Sequence, residues 1–308
     1  MSILERTKTM KIAGPAAYLL LGVLAATAGL LPWLVTGMVL PIQNLWAVDV
    51  AADDMPITLL PFSQYTITLI VAVLVTGAAI AGGVLRLTRA QHPQFAFVWA
   101  LVGVLLVQVV AIVQTVSTVA GGLAQGREAF IYLAALTAGS IAANLVGLLL
   151  MVLIARAPAA GALVAVSVAS VAAGVWVNGL ISHPFGISAT EVTMALLSVT
   201  RYVPAIIVGL AVAWCGFSTA GRIIGAIVSV VALWVGPALF TGVSAAAGTR
   251  VLAAYPAEML DYGVQVFISA LGPQGTSLVS VVAAAVVAAI AFVPLRTLRR
   301  RRAPAVAA

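Results

Sequence analysis

Charged residues are scarce in this chain. Asp, Glu, Lys and Arg make up 7% of its 308 residues, whereas 63% are hydrophobic and the mean hydropathy is +1.20. A soluble domain has about 25% charged residues, because its folded surface must be wetted. The scarcity therefore excludes an ordinary soluble domain and predicts an integral membrane protein.

Cysteine and common enzyme motifs are also nearly missing. Cys215 is the single cysteine, so the chain has no internal disulfide and no cysteine-based metal site. No HExxH, GxSxG, Walker A or GxGxxG pattern occurs in a fitting context. No carboxylate lies deep in an apolar segment, which argues against an Asp/Glu proton relay. We expect no cofactor, and an enzyme is the least favoured class of function.

The few remaining metal-ligating side chains are poorly placed for a site. His92 and His183 precede prolines in loops that fall on opposite sides of the predicted membrane. Asp49, Asp53 and Asp54 share a loop without a glycine-centred ligand pattern, so solvated carboxylates are favoured over a cation site. We therefore expect no bound metal.

Eight apolar segments are long enough to cross a hydrocarbon core, which needs about 20 residues. They cover 13–39, 62–85, 95–119, 129–155, 159–181, 194–219, 223–247 and 276–295. The first follows a basic stretch, but at 29 residues (12–40) it exceeds a signal-peptide core of about 7–15 residues, so we interpret it as an uncleaved span. We predict one all-α, polytopic transmembrane bundle over residues 1–308.

The few charges separate onto two sides of this bundle. Twelve of the fifteen Lys and Arg residues fall on one side: Arg6, Lys8, Lys11, Arg86, Arg89, Arg156, Arg222, Arg296, Arg299, Arg300, Arg301 and Arg302. Seven of the eight acids fall on the other: Asp49, Asp53, Asp54, Glu128, Glu191, Glu258 and Asp261. Short cytoplasmic loops are rich in Lys and Arg, which predicts cytoplasmic termini in a cell membrane. The net charge of +7 is then a topology signal, and we expect no nucleic-acid partner.

Two segments between spans predict caps on the acidic side. Pro256 is a typical first residue of a helix, and Gly272-Pro273 is a helix stop. Between them apolar residues recur at helical spacing, with Glu258 and Asp261 on the other face. This predicts an amphipathic extracytoplasmic helix near 256–271, lying on the outer leaflet or capping the bundle. The loop 41–61 is expected to form a similar cap.

Arg201 lies inside the sixth apolar segment, where a charge costs several kcal/mol and often marks a functional position. If one helix continued to Arg222, 21 residues on, it would put Arg201 about 30 Å away, at the outer interface. There it either faces a ligand or anchors the helix, by extending its side chain to the interface or by pairing with Glu191, Glu258 or Asp261. Pro204 removes a backbone hydrogen bond and predicts a bend nearby.

Three amides belong to polar stripes in spans 3 to 5. Gln108 is near the centre of span 3, with Thr115 on the same face, and Asn144 and Asn178 lie on stripes of small residues in spans 4 and 5. Such stripes usually let membrane helices approach and hydrogen-bond one another. The alternative is a polar path or pocket shared by these spans.

Two classes of function stay open, with membrane lipids as expected partners of both. The first is a transport or lipid-handling component that acts on a ligand from the outer face, where an arginine would suit an anionic group. The second is a non-catalytic integral subunit or assembly partner of a larger complex, which would add other membrane subunits as partners. Four successive hairpins also allow a parallel four-plus-four repeat.

Overall fold

A computed structural model describes residues 14–40, 45–48, 50–51, 54–90, 93–182, 190–249, 255–272 and 276–302. Within these ranges no strand occurs, and the structure is an all-α bundle. Its helices are α1 (Pro15–Leu34), α2 (Ile67–Leu87), α3 (Ala96–Gly122), α4 (Arg127–Arg156), α5 (Ala159–Ile181), α6 (Glu191–Thr200), α7 (Val203–Cys215), α8 (Ala220–Gly248), α9 (Pro256–Leu271) and α10 (Thr276–Arg302). A short 3-10 helix, Gln64–Thr66, precedes α2.

Within the described residues, eight crossings are long and apolar enough to span a membrane, as predicted, so the chain is a multi-pass membrane protein. The sixth crossing is Glu191–Cys215, which contains both α6 and α7. The bend predicted near Pro204 is a break between these two helices. Pro204, the second residue of α7, has no N–H to donate to the carbonyl of Thr200, so the helix breaks at Arg201 and Tyr202.

The two ends of the bundle differ in charge. Arg86 and Arg156 lie in the last turns of α2 and α4, and Arg222 lies in the first turn of α8; we call this the basic end. Glu128 and Glu191 lie in the first turns of α4 and α6, at the opposite, acidic end. These charges separate as the sequence predicted, although Arg127, the first residue of α4, lies at the acidic end.

The crossings form two four-span groups with the same packing pattern. Repeat A is α1 to α4; repeat B is α5, the α6–α7 pair, α8 and α10. In repeat A the first and fourth crossings each pack against the second and third. In repeat B, α5 and α10 each pack against α7 and α8. The repeats meet where α5 packs against α1, α2 and α4, and their shared packing pattern is compatible with the parallel repeat that the hairpin order allowed.

Small residues bring the helices of each repeat close together. A Cβ on Gly22 of α1 would lie 2.1 Å from the carbonyl oxygen of Ala100 on α3. In repeat B, a Cβ on Gly174 of α5 would lie 2.7 Å from the ring of Pro204. Helix packing in membranes depends on such close approach, because lipid supplies no hydrophobic drive for helices to associate.

Helix α9 has the predicted bounds but a different placement. A Cβ on Gly242 of α8 would lie 2.8 Å from the carbonyl oxygen of Gly263, and Trp234 Nε1 donates to the carbonyl of Leu271 at 3.2 Å. Trp234 is the middle residue of α8. Helix α9 therefore runs antiparallel to α8, from the acidic end to the midpoint of α8. It does not lie across the end of the bundle.

The described part of the loop before α2 caps repeat A. Trp33 Nε1 donates to the carbonyl of Thr58 at 2.6 Å. The backbone N–H groups of Leu59 and Leu60 donate to Gln114 Oε1 at 2.9 Å and to Thr115 Oγ1 at 3.0 Å. Side chains of α3 thus hold this loop against the acidic end.

Candidate functional site

Gln108 and Asn144 meet in the interior of repeat A. Gln108 Nε2 donates to the carbonyl of Leu74 at 2.7 Å, and Asn144 Nδ2 donates to Gln108 Oε1 at 3.1 Å. Gln108 is 1% exposed and Asn144 6%. These bonds form an amide clasp across α2, α3 and α4. The geometry supports the packing interpretation of both residues over a ligand-binding one.

Asn178 bonds to Thr200, the residue before Arg201, at the break in the sixth crossing. Thr200, which ends α6, donates its hydroxyl hydrogen bond to Asn178 Oδ1 on α5. Asn178 is three residues, about 4.5 Å, from the last residue of α5. The break and Arg201 thus lie near the acidic end, as predicted. The prediction counted 21 residues of continuous helix from Arg201 to Arg222, whereas α7 ends at Cys215 and α8 begins at Ala220.

Arg201 is exposed and bonds to its neighbour. Its Nη2 donates to the hydroxyl of Tyr202 at 2.8 Å, and its guanidinium carbon lies 4.8 Å from the centre of that ring. Among the described residues it has no ion pair with a carboxylate: Glu191 is a whole α6 away, and Asp261 Oδ2 accepts from Gln265 on α9 at 2.8 Å. The structure does not join Arg201, Glu191, Glu258 and Asp261 in one contact cluster.

A pocket of about 170 Å³ lies between the two repeats, and the sequence did not indicate it. It is enclosed by the first turn of α2, the segment Leu136–Ser140 of α4 and the segment Leu239–Val243 of α8. Leu239 and Val243 are 51% and 42% exposed, so the pocket communicates with the outer surface of the bundle. We call it the inter-repeat pocket.

The inter-repeat pocket is apolar. Its polar side chains are Thr68 and Ser140, and the Ser140 hydroxyl donates to the carbonyl of Leu136 at 2.8 Å. A Cβ on Gly139 would meet no atom within 4 Å, because this glycine borders empty space. An apolar cavity of about 150 Å³ is enough to bind benzene. The pocket therefore suits a short apolar group and offers little to a polar one.

The path of α5 explains why this space stays empty. At the acidic end α5 packs towards α1: Trp176 Nε1 donates to the carbonyl of Gly29 at 2.8 Å, and a Cβ on Gly179 would lie 3.1 Å from Pro32. None of its residues lines the pocket. Helices α2, α4 and α8 are left to enclose a gap that no side chain fills.

At the basic end the repeats are joined through Arg86. Its Nη1 donates to the carbonyls of Ile154 and Ala157 at 2.7 and 3.0 Å, which satisfies groups at the end of α4. Its guanidinium carbon also lies 4.9 Å from the ring centre of Trp214 on α7. One arginine thus connects three helices, two from repeat A and one from repeat B.

Several predicted residues lie outside the described part of the chain: Arg6, Lys8, Lys11, Asp49, Asp53, His92 and His183. Within that part, no group of three His, Cys, Asp or Glu side chains is arranged to hold a metal ion. Comparison with known proteins finds no matching family model, no matching curated protein and no matching solved structure.

Proposed function

We propose that the protein is a transport or lipid-handling component that holds the apolar part of an amphiphilic ligand in the inter-repeat pocket. The observation that carries this proposal is the pocket itself, an apolar space of about 170 Å³ between two similar four-span repeats. In transporters built from repeats, ligand sites lie at the interface of the repeats. Because Leu239 and Val243 are exposed, a ligand reaches the space from the surrounding lipid.

The polarity of the pocket limits the class of ligand. Lipid tails are as apolar as the lining, so burial alone gives a ligand no advantage over bulk lipid. Selectivity must come from shape and from a polar group at the rim. The 3-10 helix Gln64–Thr66 packs against α8 and directly precedes the pocket-lining residues of α2, so it is our candidate for this rim. The ligand is then an amphiphile with its polar group towards the acidic end.

Filling the pocket tests this proposal. In Gly139→Leu the new side chain enters the empty space, and the matched control is Gly83→Leu, because a Cβ on Gly83 also meets no atom within 4 Å but Gly83 does not line the pocket. The full chain is purified in mild detergent, and bound amphiphiles are extracted and measured. We expect a retained compound in the wild type and in Gly83→Leu, and its loss from Gly139→Leu.

The proposal fails if the wild type retains no amphiphile, or if Gly139→Leu retains as much as Gly83→Leu. A functional readout uses liposomes that contain a fluorescent phospholipid. Faster transbilayer movement with the wild type, lost in Gly139→Leu alone, supports transport of lipid. Binding without movement supports carriage or sensing of the ligand.

Access from outside the cell is a further part of the proposal, because short basic loops face the cytoplasm. Gln125 and Ser218 are exposed at the acidic and the basic end, respectively. In a Cys215→Ala background, Gln125→Cys should react with an impermeant maleimide on intact cells, and Ser218→Cys only after lysis. The reverse pattern would place the acidic end inside.

A role as an integral subunit is favoured by one observation, the exposed polar face of α9. Gly263 is its one buried residue, whereas Glu258, Asp261 and Gln265 are exposed beside the half of α8 nearer the acidic end. Polar groups at this depth need water or another protein chain. A partner that co-elutes in mild detergent, and is lost in Asp261→Leu, would support this second function.

A further inference from the structure

A second cavity, of about 310 Å³, lies at the basic end of repeat B. It is formed where α7 ends, α8 begins and α10 passes. Gly216 makes this junction, with a φ of 68° that other residues rarely adopt, and the chain turns from α7 into α8. Phe217, Ser218, Arg222 and Phe292 line the cavity. It lies at the opposite end of the bundle from the inter-repeat pocket and shares no lining residue with it.

The electrostatics of this cavity favour an anion. Arg222 is in the first turn of α8, which contains no acidic residue. A cation near the positive end of a helix dipole is unfavourable unless an anion compensates it. The Arg222 Nη1 donates to Ser218 Oγ at 2.7 Å, and among the described residues no carboxylate pairs with the guanidinium. Thr219 caps α8 by accepting from the backbone N–H of Arg222, so the donors left at the cavity are the other N–H groups of the Arg222 guanidinium.

The opposite wall of the cavity is apolar and aromatic. The rings of Phe217 and Phe292 have centres 6.1 Å apart, and Phe217 is 50% exposed. The seventh span begins at Ala220, so the cavity lies at the level where that span enters the membrane. Donors for an oxyanion therefore stand beside an apolar surface, as an amphiphile at a membrane boundary requires.

We propose that this cavity binds a phosphate group. The guanidinium of Arg222 holds its oxygens, since the planar fork of donors in this group recognises phosphate. Ser218 positions the guanidinium, and Phe217 and Phe292 contact the apolar part of the molecule that carries the phosphate. A phospholipid and a soluble phosphate ester share this headgroup chemistry, and the aromatic wall favours the lipid.

Lipid binding is measured on the full chain by native mass spectrometry, with phosphatidylglycerol and, separately, with inorganic phosphate and glycerol phosphate. We expect phosphatidylglycerol to bind. Arg222→Gln should lower the affinity for it about tenfold or more, since hydrogen bonds to charged groups are stronger than those between neutral groups. The matched control is Arg89→Gln, which removes the same charge from an exposed position at the basic end outside the cavity. It should change binding less than about twofold, as surface charges contribute little.

Phe292→Ala separates the two sources of phosphate. If the ligand is a lipid, this variant weakens the binding of phosphatidylglycerol and leaves the binding of the soluble phosphates unchanged. If soluble phosphates bind with an Arg222-dependent affinity and the lipid does not, the phosphate site stands and its source is soluble. Equal losses in Arg222→Gln and Arg89→Gln, or no binding of any probe, would overturn the proposal. Arg222→Lys keeps the charge without the planar fork and should retain part of the affinity if Arg222→Gln fails to fold.

Discussion

The amide clasp inside repeat A offers a direct test of what stabilises this bundle. Replacing Gln108 by Leu keeps the side chain large and removes two interhelical hydrogen bonds, one to the carbonyl of Leu74 at 2.7 Å and one from Asn144 at 3.1 Å. Gln108 is 1% exposed, so water cannot replace the lost bonds. The variant should fold and be less stable.

The size of the effect follows from the number of bonds. Interhelical hydrogen bonds in membrane proteins contribute about 0.6 kcal/mol on average and up to about 1.7 kcal/mol. Two of them predict a loss of about 1–3 kcal/mol in the free energy of unfolding for Gln108→Leu. Asn144→Leu loses one bond and should cost less. The double variant leaves no orphaned amide, so its loss should fall short of the sum by about 0.5–1.5 kcal/mol.

The assay is unfolding of the purified protein in mixed micelles titrated with a denaturing detergent, followed by circular dichroism. Ser167→Ala is the control, because the Ser167 hydroxyl donates within its own helix, to Leu163 at 2.9 Å. Its effect should stay below about 0.5 kcal/mol, the range of substitutions that break no such feature. A Gln108→Leu protein as stable as the wild type, or strictly additive losses, would refute the view that the clasp joins the three helices.

Three other substitutions test separate contacts. Gly22→Leu should prevent folding, because even its Cβ would lie 2.1 Å from a backbone oxygen of α3, whereas Gly121→Leu, in open space, should give a normal yield of monodisperse protein. Arg86→Gln should lower the melting temperature, because the last carbonyls of α4 lose their donor, while Arg89→Gln, exposed at the same end, should leave it unchanged. Thr200→Val should cost up to about 1.7 kcal/mol of stability by removing the bond to α5, and no loss would show that this bond is unimportant.

Hydropathy predicted the crossings well because each must be about 20 apolar residues long wherever it packs. The fifth helix begins and ends at the predicted residues, Ala159 and Ile181. The sixth was predicted as a single helix, because Pro204 by itself indicates a bend and does not say whether the helix continues. At the break, Pro204 packs against Gly174 and Thr200 bonds to Asn178, and the sequence specifies neither of these contacts with α5.

Residue chemistry identified the polar groups of the candidate site and did not say which of them meet. Gln108 and Asn144 were suspected together and do bond, since both lie on stripes that face a neighbouring helix. An ion pair with an outer acid was one alternative for Arg201, and the described structure bonds it to Tyr202 instead. Spacing along one helix says nothing about the rotation of the next helix, which sets such contacts.

Sequence by itself determined that this is a multi-pass membrane protein with eight apolar segments long enough to span a membrane. It also placed Arg86, Arg156 and Arg222 at the end of the bundle opposite to Glu128 and Glu191. These properties follow from composition and from charge near each helix end, which are local along the chain. Tertiary structure decided the rest: the two repeats, the placement of α9 along α8, and both cavities. A cavity is space that side chains leave empty, so it depends on the tilt of helices such as α5 and has no signature in the residues that surround it.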